Sequence, residues 1–417
     1  MKFSKFNVYS KYDDNSYWVY NTLTTSTIIL DSISFNDILV RKNLNSTKVD
    51  MNELYEMGFI IDDNFDELLY LKNLRDIVVN SNKKITDIMI APTMDCNARC
   101  YYCFEHGSHR EKMNTETADA IAEYIETHWN HELFNVSWFG GEPLMAIDVI
   151  DYLSNQLRNR DVKFTSKILT NGYALTHSVI NKALHDWNTT KIQISIDDLF
   201  NDYNQIKNFK NVLNNISPFE KVIENTGNAL SSGIDVRVRI NFNPLKKEHA
   251  TSVMDFLQNK FEKFANFSSY FAPIDSFSHI VPPVADEFPE FSEHPFLSLI
   301  KHSQKYGYYS GNKRGISKNF IFDEKGLLAS LKLYPSPTNC YASCPSVFAI
   351  DSKGDLYKCH RVLGKGNKYC SGNIICQGGC KINTYIYGDN HACSPIKSIF
   401  KDLIDYYIRC LINNDNL

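Results

Sequence analysis

The chain has no run of 18 apolar residues, and its opening stretch, MKFSKFNVYSKYDDNSYW, holds no apolar core of the signal-peptide kind. Neither a membrane-spanning helix nor export is expected, and a cytosolic location is. Charge of one sign is also lacking: 44 basic and 48 acidic side chains leave a net −4. No broad basic field is available to attract nucleic acid. No internal repeat is present. Cysteine is missing from the first 95 residues and again from 104 to 339. The eleven cysteines fall in two places, three within 96–103 and eight within 340–410. A reducing cytosol argues against a disulfide framework, so two separate metal-binding regions are the simplest account.

What is present is a globular composition, 43% hydrophobic and 22% charged, in 417 residues, which is too long for one ordinary domain. Residues 1–84 read as a unit of their own. Ser16–Asp31 is aromatic and β-branched and predicts a hairpin. Helical patterns at Ser34–Arg41 and Asp50–Met57 and a strand at Gly58–Ile61 complete a winged-helix-like module, with Asp62–Asp76 as a charged connector.

From Thr86 the pattern alternates. Strands are predicted at Asp87–Ala91, Phe134–Trp138, Lys163–Leu169, Lys191–Ile196, Asp235–Phe242 and Ser269–Ala272, with helices between them at Thr115–Trp129, His177–Trp187, Pro218–Leu230 and His249–Phe264. Such alternation implies parallel strands with crossover helices, hence an α/β fold built as a partial (β/α)6 barrel over 85–290. Chemistry in such barrels sits at the C-terminal ends of the strands. A bridging segment, 291–338, with one helix near Pro295–Tyr306, leads to a cysteine- and glycine-rich domain at 339–417 that closes with a helix at Ser398–Leu411.

Directly after the first barrel strand stand Cys96, Cys100 and Cys103. Thiolates suit iron–sulfur clusters or zinc. Three on one loop can each bind one iron of a cubane and leave the fourth open for a chelating substrate. A zinc knuckle completed by His106 is the competing reading.

Cys-x3-Cys-x2-Cys with an aromatic, Tyr102, before the third cysteine resembles the signature of the radical S-adenosylmethionine superfamily. The flanking Pro92-Thr93 and Phe104-Glu105 are similar to members that modify peptides. The resemblance implies a catalytic 4Fe-4S cluster on Cys96, Cys100 and Cys103 with S-adenosylmethionine as cofactor. By the same resemblance one electron cleaves the sulfonium, and the 5′-deoxyadenosyl radical removes a substrate hydrogen. An electron donor such as flavodoxin or ferredoxin is implied too. Gly140, Gly141 and Glu142, followed by Pro143, look like the motif that meets the cofactor's amino group, the glycines letting backbone approach a ligand. Thr170 and Asn171 end the third strand, Ser195 and Asp197 the fourth, where ribose or carboxylate contacts are expected beside ordinary turn chemistry. Arg239 alternates with apolar residues on the fifth strand and is the candidate partner of the cofactor carboxylate, a structural salt bridge being the alternative.

The later cysteines resemble a SPASM domain, which carries one or two auxiliary 4Fe-4S clusters. That resemblance assigns Cys340, Cys344, Cys359 and Cys380 to the first, and Cys370, Cys376 and Cys393 to the second. The second departs from the pattern: Asn367 stands where a cysteine is expected, and only ten residues separate Cys359 from Cys370. Cys410 reads as a packed thiol. Zinc is again the competing ligand set.

Auxiliary clusters of this kind accompany enzymes that oxidise or cross-link peptides, and the N-terminal module resembles the recognition element that takes a leader peptide as an added strand. A stabilising cap is its other reading. The expected function is a radical SAM maturase forming a thioether or carbon–carbon link in a ribosomally made precursor peptide. The rivals are an anaerobic sulfatase-maturing type of protein oxidase, an enzyme acting on a small molecule, and a zinc-binding interaction protein. The first of these places an Asp where this chain has His360, itself a competent base.

Overall fold

The computed structural model describes residues 1–81, 85–129, 131–210, 212, 216–243, 247–274, 295–304, 306, 347–357, 359–360, 363, 402 and 404–409. The N-terminal unit runs β1 (Lys2–Phe3), β2 (Asn7–Lys11), β3 (Ser16–Asn21), β4 (Thr27–Asp31), α1 (Ser32–Phe35), a π turn at Asn36–Val40, α2 (Met51–Glu56), β5 (Ile60–Ile61) and α3 (Glu67–Ser81). The predicted hairpin is the antiparallel pair β3–β4, with β2 on its other side. Asp31 caps α1 by accepting from the amides of Ile33 and Ser34, and Asp50 caps α2. Val19, Leu30, Phe35, Ile38, Leu54, Phe59 and Ile60 form its core.

The stretch expected to be a charged connector is instead the start of α3. Asp66 accepts from the amides of Leu68 and Leu69, and the buried Glu67 carboxylate takes Ser4 Oγ and the Lys5 amide. The sequence disguised this helix because Leu68, Leu69 and Ile77 are exposed on it, which blurs the apolar periodicity by which a helix is read.

The main body follows as β6 (Asp87–Thr93), α4 (Thr115–His128), β7 (Phe134–Gly140), α5 (Ile147–Asn159), β8 (Phe164–Thr170), α6 (His177–His185), β9 (Thr189–Ser195), α7 (Phe200–Lys207), α8 (Pro218–Ser231), β10 (Asp235–Phe242), α9 (Lys247–Phe261) and β11 (Phe267–Pro273). The strands lie parallel in sequential order, each joined to the next through a helix. Expected and observed strands agree in number and order. Of the helices, α5 and α7 had no place in the sequence reading. α10 (Pro295–Gln304), β12 (Val347–Ile350) and β13 (Leu356–Tyr357) complete the described elements.

Alternation along the strands sorts the side chains. Ile88, Ile90, Val136, Trp138, Ile168, Ile192, Ile194, Val236 and Val238 face the helices and meet the stripe of α4 (Ala118, Ile121, Ala122, Ile125) and its counterparts. Asn114 starts α4 by accepting from the Thr117 amide, and Pro218 opens α8 at its first turn. The opposite, inner face carries Met89, Ala91, Phe139 and Leu169, which pack with Ala349, Tyr357, Cys359 and Leu363.

β12 pairs parallel with β6, and β13 returns antiparallel beside it, so the sheet has eight strands. Their turn is held by Asp351, which accepts from the amides of Lys353 and Asp355 and from Tyr357 Oη, with Gly354 at φ +89. No helix among the described residues is long and apolar enough to cross a membrane.

The N-terminal sheet is covered on both faces. Trp18 and Tyr20, fully buried, point away from α1 and α2 toward the terminal helical segment 404–409. Trp18 Nε1 donates to Asp405 Oδ1 at 3.1 Å, Tyr20 meets Tyr407 edge-on, and Arg409 donates to the Tyr12 carbonyl and lies over its ring. Trp18→Ala is therefore expected to cost about 3–5 kcal/mol. Urea denaturation would measure the loss, and hydrogen exchange should show 404–409 losing protection together with β3.

Candidate active site

The cysteine loop leaves β6 at Thr93 and is tied down at both ends. Thr93 Oγ1 accepts from the Asp95 amide, and Met94 N and Met113 N donate to the Glu111 and Pro92 carbonyls. Further on, the Arg99 amide reaches the Lys207 carbonyl at 2.8 Å, and the Lys210 amide reaches that of Asn97 at 2.7 Å. The loop lies across the C-terminal ends of the strands and is clipped to the end of α7.

Cys96, Cys100 and Cys103 are free, partly buried thiols. Burial, reinforced by the Glu142 carboxylate, pushes Cys96 up to about 12, and burial with Glu105 does the same for Cys103. Burial raises Cys100 too. Protein surroundings alone do not make these thiolates; a bound cation must. Three thiolates on one loop can each take one corner iron of a cubane; tetrahedral zinc is the competing fit for the same thiols.

The two glycines meet a demand inside the protein itself. A Cβ on Gly141 would lie 2.1 Å from the Asp95 carbonyl oxygen, and one on Gly140, at φ +109, 2.5 Å from that of Thr93. The Gly141 and Glu142 amides donate to those same carbonyls. It is the cysteine loop's own backbone that approaches closely here.

Glu142 is fully buried and its carboxylate is engaged inside the protein. Oε1 accepts from Thr170 Oγ1 at 2.6 Å and the Leu144 amide at 3.1 Å, and Oε2 accepts from the Asn171 amide at 2.8 Å. Burial raises its pKa against the pull of these donors. Glu142 thus braces the end of β7 against the end of β8. Asn171 passes the brace on, its Nδ2 donating to Asn97 Oδ1 at 2.7 Å and lying 3.9 Å from Cys96 Sγ.

Tyr102 is anchored from below. Its hydroxyl donates to Asp197 Oδ2 and accepts from Lys207 Nζ at 3.0 Å. Lys207 and Asp197 form an ion pair at 2.7 Å with side chains 2% and 1% exposed, and Asn241 Nδ2 donates to Asp197 Oδ1 at 2.7 Å. Burial alone would lower the Lys207 pKa, but the Asp197 carboxylate raises it well above the ordinary value. The ammonium stays charged.

Ser195 and Arg239 both lie on the inner face, level with each other in the β9–β10 ladder, and Arg239 Nε donates to Asn241 Oδ1 at 2.7 Å. Beside them, at the strand ends, a cavity of about 340 Å³ opens between Tyr101, Asp198, Asn243, His249 and Ile274. On the other side of the loop, Phe104 and Phe139 lie nearly parallel, with His360 edge-on to both at 6.3 and 5.5 Å. Burial, then the charges of Arg239 and Lys167, push His360 down to about 4, so its ring is neutral at pH 7.

The structure therefore gathers Cys96, Cys100, Cys103, Tyr102, Gly140, Gly141, Glu142, Thr170, Asn171, Ser195, Asp197 and Arg239 at one edge of the sheet. Cys359 is buried on the inner face next to β13. Cys340, Cys344, Cys370, Cys376, Cys380, Cys393, Asn367 and Cys410 lie outside the described residues. Lys207 and Asn97 escaped the sequence reading, whereas Asn241 was legible as an amide on the inner face of its strand. A lysine in the last turn of a polar helix reads as solvated, and only the strand order brings it under the loop.

Residues 90–258 match the family model described as the Radical SAM superfamily. The chain is 25% identical over 187 residues to the radical SAM cyclopropyl synthase TigE of Paramaledivibacter caminithermalis, covering 40% of this chain and 39% of that one. It is 28% identical over 120 residues to a probable GTP 3',8-cyclase of Methanococcus aeolicus, covering 28% of this chain and 39% of the relative. It spans about two fifths of the length of these curated relatives. Among solved structures, native anSMEcpe with bound AdoMet and the Cp18Cys peptide superposes with a TM-score of 0.55 at 18% identity, over 80% of this chain and 99% of that one. At that identity the likeness is one of fold. Residues 90–258 therefore form a radical SAM domain, a domain of an enzyme class.

Two outcomes are expected. Lys207→Met strands Asp197 in the interior and should cost about 3–5 kcal/mol, with the reconstituted protein losing iron faster on chelator challenge. Because each buried thiol must release its proton to bind iron, uptake by the cluster-free protein should tighten as pH rises from 7.0 to 8.5, which an iron titration at both values checks.

Proposed function

We propose that this enzyme is a radical SAM maturase of ribosomally made peptides, forming a thioether or carbon–carbon link. One observation carries the first half of that reading: three free, partly buried thiols on one loop across the C-terminal edge of a parallel sheet. Cys96, Cys100 and Cys103 would hold a 4Fe-4S cluster. When bound, cluster and S-adenosylmethionine supply reductive sulfonium cleavage and a carbon radical able to remove a substrate hydrogen.

The chain's own residues divide the remaining work. Ser195 and Arg239 offer a hydroxyl and a guanidinium to the cofactor's polar ends, and the cavity beside Asp198 and His249 offers acceptors for sugar hydroxyls. Tyr102, Glu142, Thr170, Asn171 and Asp197 act mainly by holding the loop, since their polar atoms are largely engaged within the protein. Gly140 and Gly141 let β7 close on it. The packed inner face excludes water from the reacting centre.

The peptide half is supported by the N-terminal unit. Among the described strands β4 is an edge strand with Ile29 exposed, and Ile33 is exposed on α1, which follows it directly. An extended leader adding to that edge gains main-chain hydrogen bonds and apolar contacts. The related fold of anSMEcpe, too, carries a bound peptide. Cys359 with Cys340, Cys344 and Cys380 would ligate one auxiliary cluster, and Cys370, Cys376 and Cys393 a second, incomplete one; flavodoxin or ferredoxin would supply electrons. A protein oxidase of the sulfatase-maturing type is the second reading, favoured by the neutral His360 ring beside Cys359, which has one unprotonated nitrogen able to accept a proton.

Anaerobic reconstitution tests the core of this. The protein should bind iron and sulfide, about eight irons per chain at four per complete cubane, and cleave S-adenosylmethionine to 5′-deoxyadenosine once reduced. Cys96→Ala, Cys100→Ala and Cys103→Ala together should abolish cleavage with the circular dichroism spectrum unchanged. Zinc in place of iron, with no cleavage under any reductant, would overturn the reading. Loss of two hydrogens together with suppressed fragmentation between the two joined residues, read by tandem mass spectrometry, separates cross-linking from oxidation without a bridge, which leaves fragmentation between residues intact.

A further inference from the structure

Asn171 holds the cysteine loop with one side-chain N–H and has a second to place, since a carboxamide nitrogen carries two. One goes to Asn97 Oδ1 at 2.7 Å. The other is directed at Cys96 Sγ, 3.9 Å away. Which way round the amide sits is settled by its oxygen, because Asn171 Oδ1 accepts from the Tyr173 amide at 3.0 Å. A flipped side chain would set two donors against each other at Tyr173 and an oxygen against the sulfur. Asn171 is only 8% exposed, so little water competes for the second N–H.

The sulfur is fixed as well. The Cys96 amide donates to Asp95 Oδ1 at 2.8 Å, its carbonyl accepts from Arg99, and the Ala98 amide donates to Sγ at 3.3 Å. As a thiol, Cys96 directs its own proton at Asn97 Oδ1, 4.0 Å away. Metal binding removes that proton, and the sulfur then meets the Ala98 and Asn171 donors as an anion. Hydrogen bonds to an ionised acceptor are shorter and roughly twice as strong as neutral ones, so both contacts tighten on the thiolate. Behind Asn171 stands a second buried carboxylate, Glu142, which takes the Asn171 backbone N–H at 2.8 Å. One residue thus gives a donor to each of two anionic groups that repel each other.

We propose that Asn171 is a positioning residue that raises the reduction potential of the cluster on Cys96, Cys100 and Cys103, by donating its second side-chain N–H to Cys96 Sγ. This rests on the cluster reading proposed above. One electron passes from the flavodoxin or ferredoxin, which is oxidised, to the cluster, which is reduced. The added charge spreads onto the thiolates, so a donor on a sulfur stabilises the reduced form more than the oxidised one. The cluster thereby comes within reach of its electron donor. The Ala98 contribution comes from backbone and is the same for any residue at that position except proline. Asn171 is the donor that a side chain supplies, and it acts beyond the ligands themselves, where outer partners tune a metal centre.

The test is an anaerobic redox titration of the reconstituted protein, followed by electron paramagnetic resonance. The loop's cluster is the signal that the triple cysteine-to-alanine variant lacks. Asn171→Asp keeps an acceptor for the Tyr173 amide and exchanges the NH2 for an oxygen. At the wild-type midpoint its ratio of reduced to oxidised cluster should be at least tenfold lower, a downward shift of about 59 mV for one electron. Asn171→Ser, whose hydroxyl still suits the turn but is too short to reach the sulfur, should lower the ratio about threefold. Asn97→Ala removes the brace and leaves the donor, and should keep the ratio within twofold of wild type. Circular dichroism and iron content verify that each variant is folded and loaded. Ratios within twofold of wild type in both Asn171 variants, or a fall in Asn97→Ala equal to theirs, would overturn the proposal and leave the cluster reading intact. Loss of iron from both Asn171 variants would do the same, making the residue a structural brace alone. Zinc in the wild-type site, or no metal at all, would overturn both.

Discussion

The buried pair of Lys207 and Asp197 is the constraint on which the active-site edge depends. Two charges held almost wholly out of water at 2.7 Å are tolerable only because each has further partners: Tyr102 Oη takes both, and the Asn241 amide takes the second carboxylate oxygen. Four elements meet in that one knot, the cysteine loop, β9, α7 and β10. Replacing it with hydrocarbon of the same volume need not weaken the fold. It would, however, remove what fixes Tyr102, and with it the register of the cysteines on either side. A metal centre that receives and passes on electrons needs ligands held in one place through the cycle, and a polar knot with directional bonds supplies that better than apolar packing does.

A second brace repeats the design from the other side. Glu142, Thr170 and Asn171 tie the ends of β7 and β8 to each other and then to Asn97 and Cys96. Between these braces the loop is held by protein groups that themselves need touch no ligand. Ser195 and Arg239, by contrast, stand level with each other on the inner face, where the ladder fixes their position, and Asp198 and His249 line the rim of the cavity beside them.

Much of this could be seen in the sequence. The strands alternate plainly, since Val236, Val238 and Ile240 interleave with Arg237, Arg239 and Asn241, and the three-cysteine spacing singles out its loop. Two kinds of fact could not be seen. Lys207 matters because of which strands lie next to each other, and no local pattern reports that. α3 reads as a connector because Leu68, Leu69 and Ile77 are exposed on it, and helices are read through the stripe they bury. Gly140 and Gly141 were legible as glycines of close approach, but what approaches them is the Thr93–Asp95 backbone, which only the folded register discloses.

The pairing of β12 with β6 bears on how the protein is made. β6, the strand that leads into the cysteine loop, is the first strand of the main sheet in the chain, and its outer partner begins at Val347. At translation rates of about 5–20 residues per second, the ribosome needs roughly ten seconds to a minute to deliver that partner. Through that interval β6 is a bare sheet edge, open to wrong pairing, and the thiols next to it are more accessible than they will be again. The same delay that exposes the nascent chain to aggregation gives the cell an interval in which metal can reach the loop before the returning strand closes over its flank.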